Sequence, residues 1–373
     1  MKIRIATVFS GIGAIEFALK RLSIESEIVF ACDNGEIEIE YDEEKEFESI
    51  KKLEKIEDKH KYAQDLYASK TKRKNFVKES YLSNYPCQIN RFYEDIKLLD
   101  GTDFKDKVDL FVGGSPCQSF SSVGKKGGLE DTRGTLFYEY ARLVSEIQPK
   151  VFIYENVRNL LNIDNGKTWE TIKNVFDSLG YRYTYAVLNA ADYGIPQNRR
   201  RLFVVGFKGE YEIKMPPSKK ILKFSMKDFL LDNCKDGCFI SDGKGEIKII
   251  KDPGVFEEKY ILTEKLYKYV MKSGTKNFYQ KPVINLQIAR TLLKTMGNRH
   301  RAGVDNYVSN DGSNDFGKVR MLTEREAHRL MGFTDDYKIV VSRAQAYKQA
   351  GNSIVVDVLM EILKEIIKTG VFD

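Results

Sequence analysis

The 373-residue sequence lacks an apolar run long enough for a membrane-spanning helix, which needs about 18 consecutive apolar residues. It also lacks the pattern of a secretory leader, because residues 1–4 begin a strand instead. Cysteine is scarce: the five residues are scattered and odd in number, which argues against a disulfide framework and for a reducing compartment. These absences predict a soluble, cytoplasmic protein with no membrane partner.

The composition is that of a folded protein. Apolar residues make up 42% of the chain and include 21 Tyr and 22 Phe, which is enough for a large core and excludes a disordered chain. The net charge of +6 permits a polyanionic partner without requiring one. The chain is longer than one typical domain, so we expect two.

The N-terminus begins with a strand, a glycine turn and a helix. Residues 3–8 are the strand and residues 9–13 (Phe-Ser-Gly-Ile-Gly) the turn, the opening of a doubly wound α/β sheet in which glycines let a ligand approach the backbone. Glu16 replaces the third glycine of the dinucleotide fingerprint, and an acid there repels a pyrophosphate and favours a cofactor without one. Asp33 ends the second strand 22 residues after Gly11, a spacing at which a carboxylate can bind ribose hydroxyls.

Residues 35–80 differ in composition from their surroundings. Residues 36–48 contain eight acidic side chains and one lysine, and residues 51–74 are rich in lysine. Charge runs are usually solvated surfaces, so this segment is predicted to be an insertion of exposed helix, and we assign it no function.

A single cysteine follows a strand and a glycine turn. Residues 108–112 form the strand, Gly113 and Gly114 end it, and Pro116 stiffens the backbone before Cys117. A strand that ends in this way places the next side chain at the rim of an α/β sheet, where ligands bind. Cys117 is therefore either a presented nucleophile or a small buried thiol, the usual state of a free cysteine.

Polar groups that can serve such a nucleophile lie further along the chain. Residues 118–128, rich in Gly, Ser and Lys, are either a lid over a phosphate-bearing substrate or an ordinary surface loop. Glu155 follows a buried strand, residues 151–154, where a carboxyl can act as a general acid. The arginines at 199–201 can bind phosphates or a polarised carbonyl, or they form a solvated edge.

The alternation of strands and helices stops after residue 209. Residues 219–320 are polar and irregular and predict short strands only. Within them, the basic stretch 290–301 indicates nucleic-acid contact or a merely charged surface. Cys234 and Cys238 lack a second Cys or His pair that would complete a zinc site, so they are interpreted as structural and no metal is expected.

The C-terminal residues have the apolar periodicity of a helix. Ile354, Val358 and Ile362 repeat every four residues, and Asp357 is predicted on the opposite, outward face. This helix is expected to pack on the sheet.

Seven sequence blocks occur in one order along the chain, and together they resemble the C5-cytosine DNA methyltransferase family. The resemblance covers nearly the whole chain except residues 35–80 and most of 210–285, and it is strongest to bacterial restriction–modification enzymes. The blocks are Phe9-Ser10-Gly11-Ile12-Gly13, Gly114-Ser115-Pro116-Cys117-Gln118, Asp131-Thr132-Arg133-Gly134-Thr135-Leu136, Glu155-Asn156-Val157, Gln197-Asn198-Arg199-Arg200-Arg201, Leu322-Thr323-Glu324-Arg325-Glu326 and Gln349-Ala350-Gly351-Asn352-Ser353.

The resemblance implies a fold and a division into domains. The fold would be α/β, a doubly wound, mostly parallel, Rossmann-like sheet with a second, smaller and irregular target-recognition domain. Residues 1–209 would form the catalytic and cofactor-binding domain, with the charged insertion at 35–80. Residues 210–320 would be the target-recognition domain, and residues 321–373 a hinge and the return of the chain to the catalytic domain.

The resemblance also implies S-adenosylmethionine as cofactor, a cation without phosphate, which agrees with the incomplete glycine fingerprint. Phe9 would pack on the adenine, Asp33 would bind the ribose and Asp95 the adenine amino group. The implied cofactor contacts are Phe9, Gly11, Ile12, Gly13, Asp33, Asp95, Ile96, Pro116, Leu136, Asn352 and Ser353.

The chain departs from the family pattern at two places. Thr7 stands where the family usually has Asp, and the insertion obscures the match directly after Asp33, so Asn34 is not assigned as a ligand. Residues 61–67 and residues 76–82 both resemble the helix expected next. The second match is preferred, because residues 83–86 continue it.

The chemistry implied is methyl transfer to C5 of a cytosine flipped out of a short, specific duplex DNA site. Cys117 would bond to C6 of the base, protonated Glu155 would donate to N3, and Arg201 would contact O2 with support from Arg199. Such methylation would protect host DNA from a cognate restriction endonuclease, and a monomer is expected. The DNA contacts implied are Gln118, Ser121, Arg133, Thr291, Arg299 and Arg301. Two alternatives are a tRNA cytosine-5 methyltransferase on the same fold and a catalytically inactive DNA-binding homologue.

Overall fold

The computed structural model describes residues 2–85, 90–116, 136–212, 214–218, 221–272, 274–275, 278–279, 282–298, 300 and 303–373. Its strands are β1 (Ile3–Val8), β2 (Ser26–Cys32), β3 (Phe92–Tyr93), β4 (Leu110–Gly113), β5 (Val151–Val157), β6 (Arg182–Asn189), β7 (Gln197–Asn198), β8 (Arg200–Phe207), β9 (Phe239–Ser241), β10 (Ile247–Ile249), β11 (Gly274–Thr275), β12 (Phe278–Tyr279), β13 (Ala289–Arg290), β14 (Tyr307–Ser309) and β15 (Val319–Met321). Its helices are α1 (Ala14–Arg21), α2 (Glu43–Lys51), α3 (Ile56–Lys70), α4 (Phe76–Asn84), α5 (Leu136–Ile147), α6 (Lys167–Ser178), α7 (Glu264–Val270), α8 (Glu324–Arg329), α9 (Arg343–Asn352) and α10 (Val356–Lys368).

Seven strands form the central sheet in the order β3-β2-β1-β4-β5-β8-β6. The pairs from β3 through β5 are parallel, and β8 runs antiparallel to both β5 and β6. The predicted doubly wound, mostly parallel sheet is therefore confirmed. The strand order reverses direction between β1 and β4, and the carboxyl ends of strands at such a point form the crevice in which α/β proteins bind ligands.

The sheet is buried on both faces. Successive side chains of a strand point to opposite faces, so Ile5 packs in one hydrophobic cluster with α1 and α10, while Ala6 packs in another with α5 and α6. In β4, Leu110 likewise packs in the first cluster and Phe111 in the second. Both faces being covered explains why these strands are continuously apolar in sequence.

The prediction that Asp357 faces outward is wrong. Its carboxylate is 2.7 Å from the guanidinium of Arg21 on α1, and both side chains are largely buried. The cause is that α10 packs against α1, and a buried arginine needs an opposite charge beside it. The helix itself begins at Val356, two residues after the predicted start.

The insertion is helical, as predicted, but the prediction that it is solvated fails for α3. Lys59 and His60 of that helix are buried, and the Lys59 ammonium lies 2.8 Å from carboxylate oxygens of both Asp100 and Asp103. His60 bonds to the carbonyl oxygen of Phe92 at 2.9 Å. Polar partners from the following segment thus let a charged helix face be buried.

The region after residue 209 contributes to two separate cores. Met226, Phe229 and Cys234 pack in the same cluster as α1 and α10, together with Cys238. Leu262 belongs to a second, small cluster with side chains from residues 270–319. The helix α7 was not predicted there, and the boundaries at 210 and 320 stay predictions.

Across the described ranges, no helix is both long and apolar enough to span a bilayer.

Candidate active site

A cavity of about 390 Å³ opens where β1, β2, β4 and β5 end. Its size and its mixture of apolar walls with a few polar groups are typical of ligand sites. The predicted site residues that line it are Phe9, Gly11, Ile12, Asp33, Pro116, Glu155, Arg199, Arg201 and Asn352. Ser353 lines a smaller cavity beside it, in which Phe9, Gly11 and Asn352 also take part.

The other predicted site residues fall into two groups. Five are described but line neither of these cavities: Gly13, Asp95, Ile96, Leu136 and Thr291. Six lie outside the described residues: Cys117, Gln118, Ser121, Arg133, Arg299 and Arg301. The predicted loop 118–128 lies outside them as well.

Asp33 forms one end of the cavity, directly after β2. Its carboxylate accepts hydrogen bonds from the backbone N–H groups of Gly11, at 2.9 Å, and Gly35, at 2.8 Å. Burial raises the pKa of Asp33, and these two bonds oppose the rise. Gly11 has a φ of 55°, which favours glycine, and this turn holds its N–H toward Asp33. The carboxylate is thus held in place while it retains lone pairs for hydroxyl donors.

Gly13 has a structural reason to be glycine. Its φ is 79°, and a Cβ there would lie 2.4 Å from a ring carbon of Tyr85. The Tyr85 hydroxyl donates to the Gly13 carbonyl oxygen at 2.8 Å. Gly13 therefore lets the end of α4 pack against the turn.

Glu16 does not act as a surface acid at the start of α1. It is buried, and its carboxylate accepts hydrogen bonds from the hydroxyls of Tyr81, at 2.8 Å, and Thr7, at 3.2 Å. Burial raises the pKa of Glu16 to about 7. The predicted repulsion of a pyrophosphate by Glu16 is thus not supported, because the group faces the protein interior. Thr7, the departure from the family pattern, is one of its partners.

The end of β4 is held tightly against β5. A Cβ on Gly114 would lie 2.7 Å from the carbonyl oxygen of Glu155, so only glycine fits. The Asn156 amide donates to the Ser115 carbonyl oxygen at 3.0 Å and to the Tyr154 hydroxyl at 2.8 Å. This network, which the sequence did not reveal, positions Pro116 on the cavity wall immediately before Cys117.

Glu155 lines the same cavity as Asp33, and β1 and β4 lie between their strands in the sheet. It lies within β5, which continues to Val157, so the prediction that the strand ends before Glu155 is wrong. The Arg201 Nε is 3.2 Å from a Glu155 carboxylate oxygen. Burial raises the pKa of Glu155, and the nearby cations of Arg201 and Arg199 oppose the rise. A carboxyl that holds its proton more firmly than usual and lines a cavity is suited to donate that proton.

Arg199 is buried and joins three segments of the chain. Its guanidinium donates to the carbonyl oxygens of Leu292, at 3.0 Å, Gly351, at 3.0 Å, and Ser353, at 2.8 Å. A Cβ on Gly351 would lie 2.3 Å from the backbone nitrogen of Lys294, which shows how closely these segments approach. Arg199 therefore acts through the backbone of the cavity wall.

Both ends of the insertion reach the cavity, which the sequence did not predict. Phe76 and Val77 at the start of α4 line it, and the preferred match of residues 76–82 to the expected helix was the one signal for this. Glu36 also lines it, and its carboxylate is 3.1 Å from the Lys294 ammonium and 3.0 Å from that of Lys348. The Asn352 amide donates to Glu36 at 3.0 Å.

The insertion also contacts Asp95. The Tyr41 hydroxyl donates to one Asp95 carboxylate oxygen at 2.9 Å, and the Lys97 N–H donates to the other at 3.0 Å. Burial raises the pKa of Asp95, and these bonds oppose the rise. Tyr41 thus fixes the orientation of a residue that the sequence predicts to bind the cofactor.

The fold and the cavity are those of a Rossmann-like methyltransferase, and comparisons with known proteins identify the family. The profile described as "C-5 cytosine-specific DNA methylase" matches residues 3–368. The chain belongs to this family, and the predicted enzyme class, a DNA cytosine-5 methyltransferase, is confirmed.

Curated relatives carry names of the same kind. The chain is 33% identical to Type II methyltransferase M1.ScrFI of Lactococcus lactis subsp. cremoris over 310 residues, which cover 82% of this chain and 70% of the relative. It is 38% identical to Type II methyltransferase M.HhaI of Haemophilus parahaemolyticus over 256 residues, 68% of this chain and 74% of the relative. Both names place the chain among relatives of restriction–modification enzymes.

A solved structure supports the fold alone. The S. pombe Dnmt2 methyltransferase superposes with a TM-score of 0.65 and 18% identity, over 99% of each chain.

Proposed function

We propose that this protein methylates C5 of a cytosine extruded from a short, specific duplex DNA site, with S-adenosylmethionine as methyl donor. One observation carries the proposal: a single cavity is lined by Asp33, after β2, and by Pro116, Glu155 and Arg201, after β4 and in β5 and β8. In the sheet order β2-β1-β4-β5-β8 these groups define a first end, at Asp33, and a second end, at the other three residues. A cofactor at the first end and a base at the second would meet within it. The relatives named as Type II methyltransferases support DNA as the substrate and protection from an endonuclease as the role.

The residues at the first end fit S-adenosylmethionine. Phe9, Ile12 and Phe76 supply apolar surface for an adenine ring, and Asp33 supplies an acceptor for ribose hydroxyls. Asn352 would close the pocket at its mouth. When bound, the cofactor supplies an electrophilic methyl group.

The residues at the second end would activate the base. Cytosine C5 is a poor nucleophile, and a bond from the Cys117 thiolate to C6 converts the ring to an enamine that is nucleophilic at C5. Glu155 would donate its proton to N3 so that negative charge does not accumulate on the ring. Once C5 carries the methyl group, a base removes the C5 proton and the thiolate leaves. Arg199 and Arg201, as cations at this end of the cavity, would favour the thiolate form of Cys117.

The target base cannot react inside a duplex. Extrusion costs about a few kcal/mol, which contacts along the DNA must offset. We assign these contacts to the recognition domain, residues 210–320, between the catalytic domain, 1–209, and the returning segment, 321–373. Thr291 is half-buried and its hydroxyl donates to the Asn198 carbonyl oxygen, so it lies next to the catalytic arginines, where it would reach a phosphate. A cytoplasmic monomer remains part of this proposal.

Methyl transfer from labelled S-adenosylmethionine to duplex DNA tests the proposal. We expect label in 5-methylcytosine after nucleoside digestion, and a covalent adduct with a duplex that carries 5-fluorocytosine. Label in tRNA but not in DNA would indicate the RNA-modifying alternative. DNA binding without label or adduct would indicate the inactive homologue.

Removing the Tyr41 hydroxyl is expected to weaken cofactor binding. In Tyr41→Phe, Asp95 loses a hydrogen bond that orients it, and the cofactor Kd should rise about threefold to tenfold, the effect of one bond of about 1 kcal/mol. Calorimetric titration with S-adenosylmethionine measures the Kd, and steady-state kinetics should show a higher KM at an unchanged kcat.

Tyr62→Phe is the matched control for this prediction. The Tyr62 hydroxyl also donates to a carboxylate, that of Glu46, but Glu46, unlike Asp95, is not a predicted cofactor contact. Equal cofactor affinities for the two variants would show that Tyr41 does not act through Asp95.

A further inference from the structure

We propose that the segment Lys70-Thr71-Lys72-Arg73-Lys74, called the basic segment below, binds backbone phosphates of the duplex DNA at the mouth of the cavity. The inference rests on the proposed function, since it adds a surface for the same DNA. It assigns a role to an insertion that otherwise contributes only to the cofactor end of the site.

The basic segment carries positive charge that the protein leaves available. Its four cationic side chains are exposed, and among the residues that the structure describes only Lys74 has a carboxylate partner, Glu79 at 2.8 Å. By contrast, three lysines earlier on α2 and α3, namely Lys51, Lys59 and Lys61, form ion pairs. Exposed cations without partners are the groups with which proteins neutralise DNA phosphates.

The segment is anchored beside the cavity. The Asn75 side chain, which follows it directly, donates to the Asp33 carbonyl oxygen at 2.8 Å and accepts from the N–H groups of Val77 and Lys78 at the start of α4. Neighbouring Cα atoms are about 3.8 Å apart, so the Arg73 backbone lies within about 8 Å of this anchor. The cations therefore cannot lie far from the mouth.

The same mouth has further positive charge. Lys294 and Lys348 line the cavity and share one carboxylate, that of Glu36. Glu36 is the residue of the acidic half of the insertion that lines the cavity, while Glu43 pairs with Lys97 instead. The cofactor carries no phosphate, so this charge is not needed to bind it. A polyanion that approaches the cavity would be attracted by the positive charge at its mouth.

The salt dependence of DNA binding tests the inference. The probe is a labelled duplex of mixed sequence, titrated by fluorescence anisotropy at several KCl concentrations with full-length protein. In Lys72→Gln/Arg73→Gln we expect the slope of log Kd against log salt concentration to fall by about 2, and affinity at low salt to fall about tenfold, as for two lost phosphate contacts. The cofactor Kd should not change.

Two control variants accompany the test. Lys52→Gln/Lys55→Gln removes the same charge from exposed positions of the insertion that line no cavity, and should keep the wild-type slope. Lys72→Arg/Arg73→Lys retains both positive charges, so it should also retain the wild-type slope. A wild-type slope in Lys72→Gln/Arg73→Gln, with wild-type protein that methylates DNA, overturns this inference alone. Wild-type protein that binds no duplex overturns the inference and the proposed function together.

Discussion

Replacing Glu155 by glutamine is expected to lower kcat by about 10²- to 10⁴-fold, the contribution typical of a positioned general acid. The amide has nearly the same shape but no acidic proton, so negative charge would develop on the ring as Cys117 adds to C6. The cofactor end of the cavity is left intact, and the Kd of S-adenosylmethionine should not change. Single-turnover transfer of labelled methyl groups to DNA measures the effect.

The pH dependence of the same reaction checks the role of Glu155. Glu155 must be protonated to act, and burial raises its pKa, so activity should fall as pH rises through that pKa. The Arg201 cation lowers this pKa, so Arg201→Gln should move the fall to higher pH. Cys117→Ala, which cannot bond to C6, defines zero turnover. Activity of Glu155→Gln within about twofold of wild type would exclude Glu155 as the acid.

Replacing Glu326 by alanine is expected to lower the free energy of unfolding by about 3 to 5 kcal/mol, the cost of breaking a buried ion pair. The Glu326 and Arg320 side chains are fully buried, with both guanidinium–carboxylate contacts at 2.9 Å. The same carboxylate accepts hydrogen bonds from the N–H groups of Thr323, at 2.7 Å, and Leu231, at 2.8 Å. Its loss would leave Arg320 buried with Asp232 as its remaining carboxylate.

Urea unfolding measures this effect, and Glu264→Ala is the matched control. Glu264 also lies in the first turn of a helix, α7, and pairs with Lys268, but both side chains are exposed. Exposed pairs contribute about 0 to 1 kcal/mol, so the control should unfold close to wild type. A loss of that small size in Glu326→Ala would show that water or a rearranged Asp232 replaces the carboxylate.

The Glu326 pair also gives a structural meaning to one of the seven sequence blocks. Residues 322–326 form the capping box that begins α8, with Thr323 and Glu326 bonding to each other's backbone N–H groups. Through Glu326 and its partner Arg320, this block contacts residues 231–232, which belong to the region after residue 209. The resemblance between sequences pointed to the block, and its contacts predict that it contributes to stability.

The sequence alone determined the strand–turn–helix order, the family, and the position of Asp33 directly after its strand. It also placed Glu155 near the carboxyl end of β5, although that strand continues to Val157. These features are local: apolar runs and glycine turns within a few residues specify a strand and its end. A parallel sheet then brings the ends of neighbouring strands together, so the two ends of the cavity followed from short stretches of chain.

Only the tertiary structure decided which charged groups are buried and what the insertion does. Arg21 pairs with Asp357, 336 residues away, and Glu36 contacts Asn352 across 316 residues. Tyr41 contacts Asp95 and Glu36 lines the cavity because of packing that no local pattern records. The sequence does not distinguish a charged side chain that is solvated by water from one that is buried beside a distant partner. The free energy that separates these two cases arises only when the chain has folded.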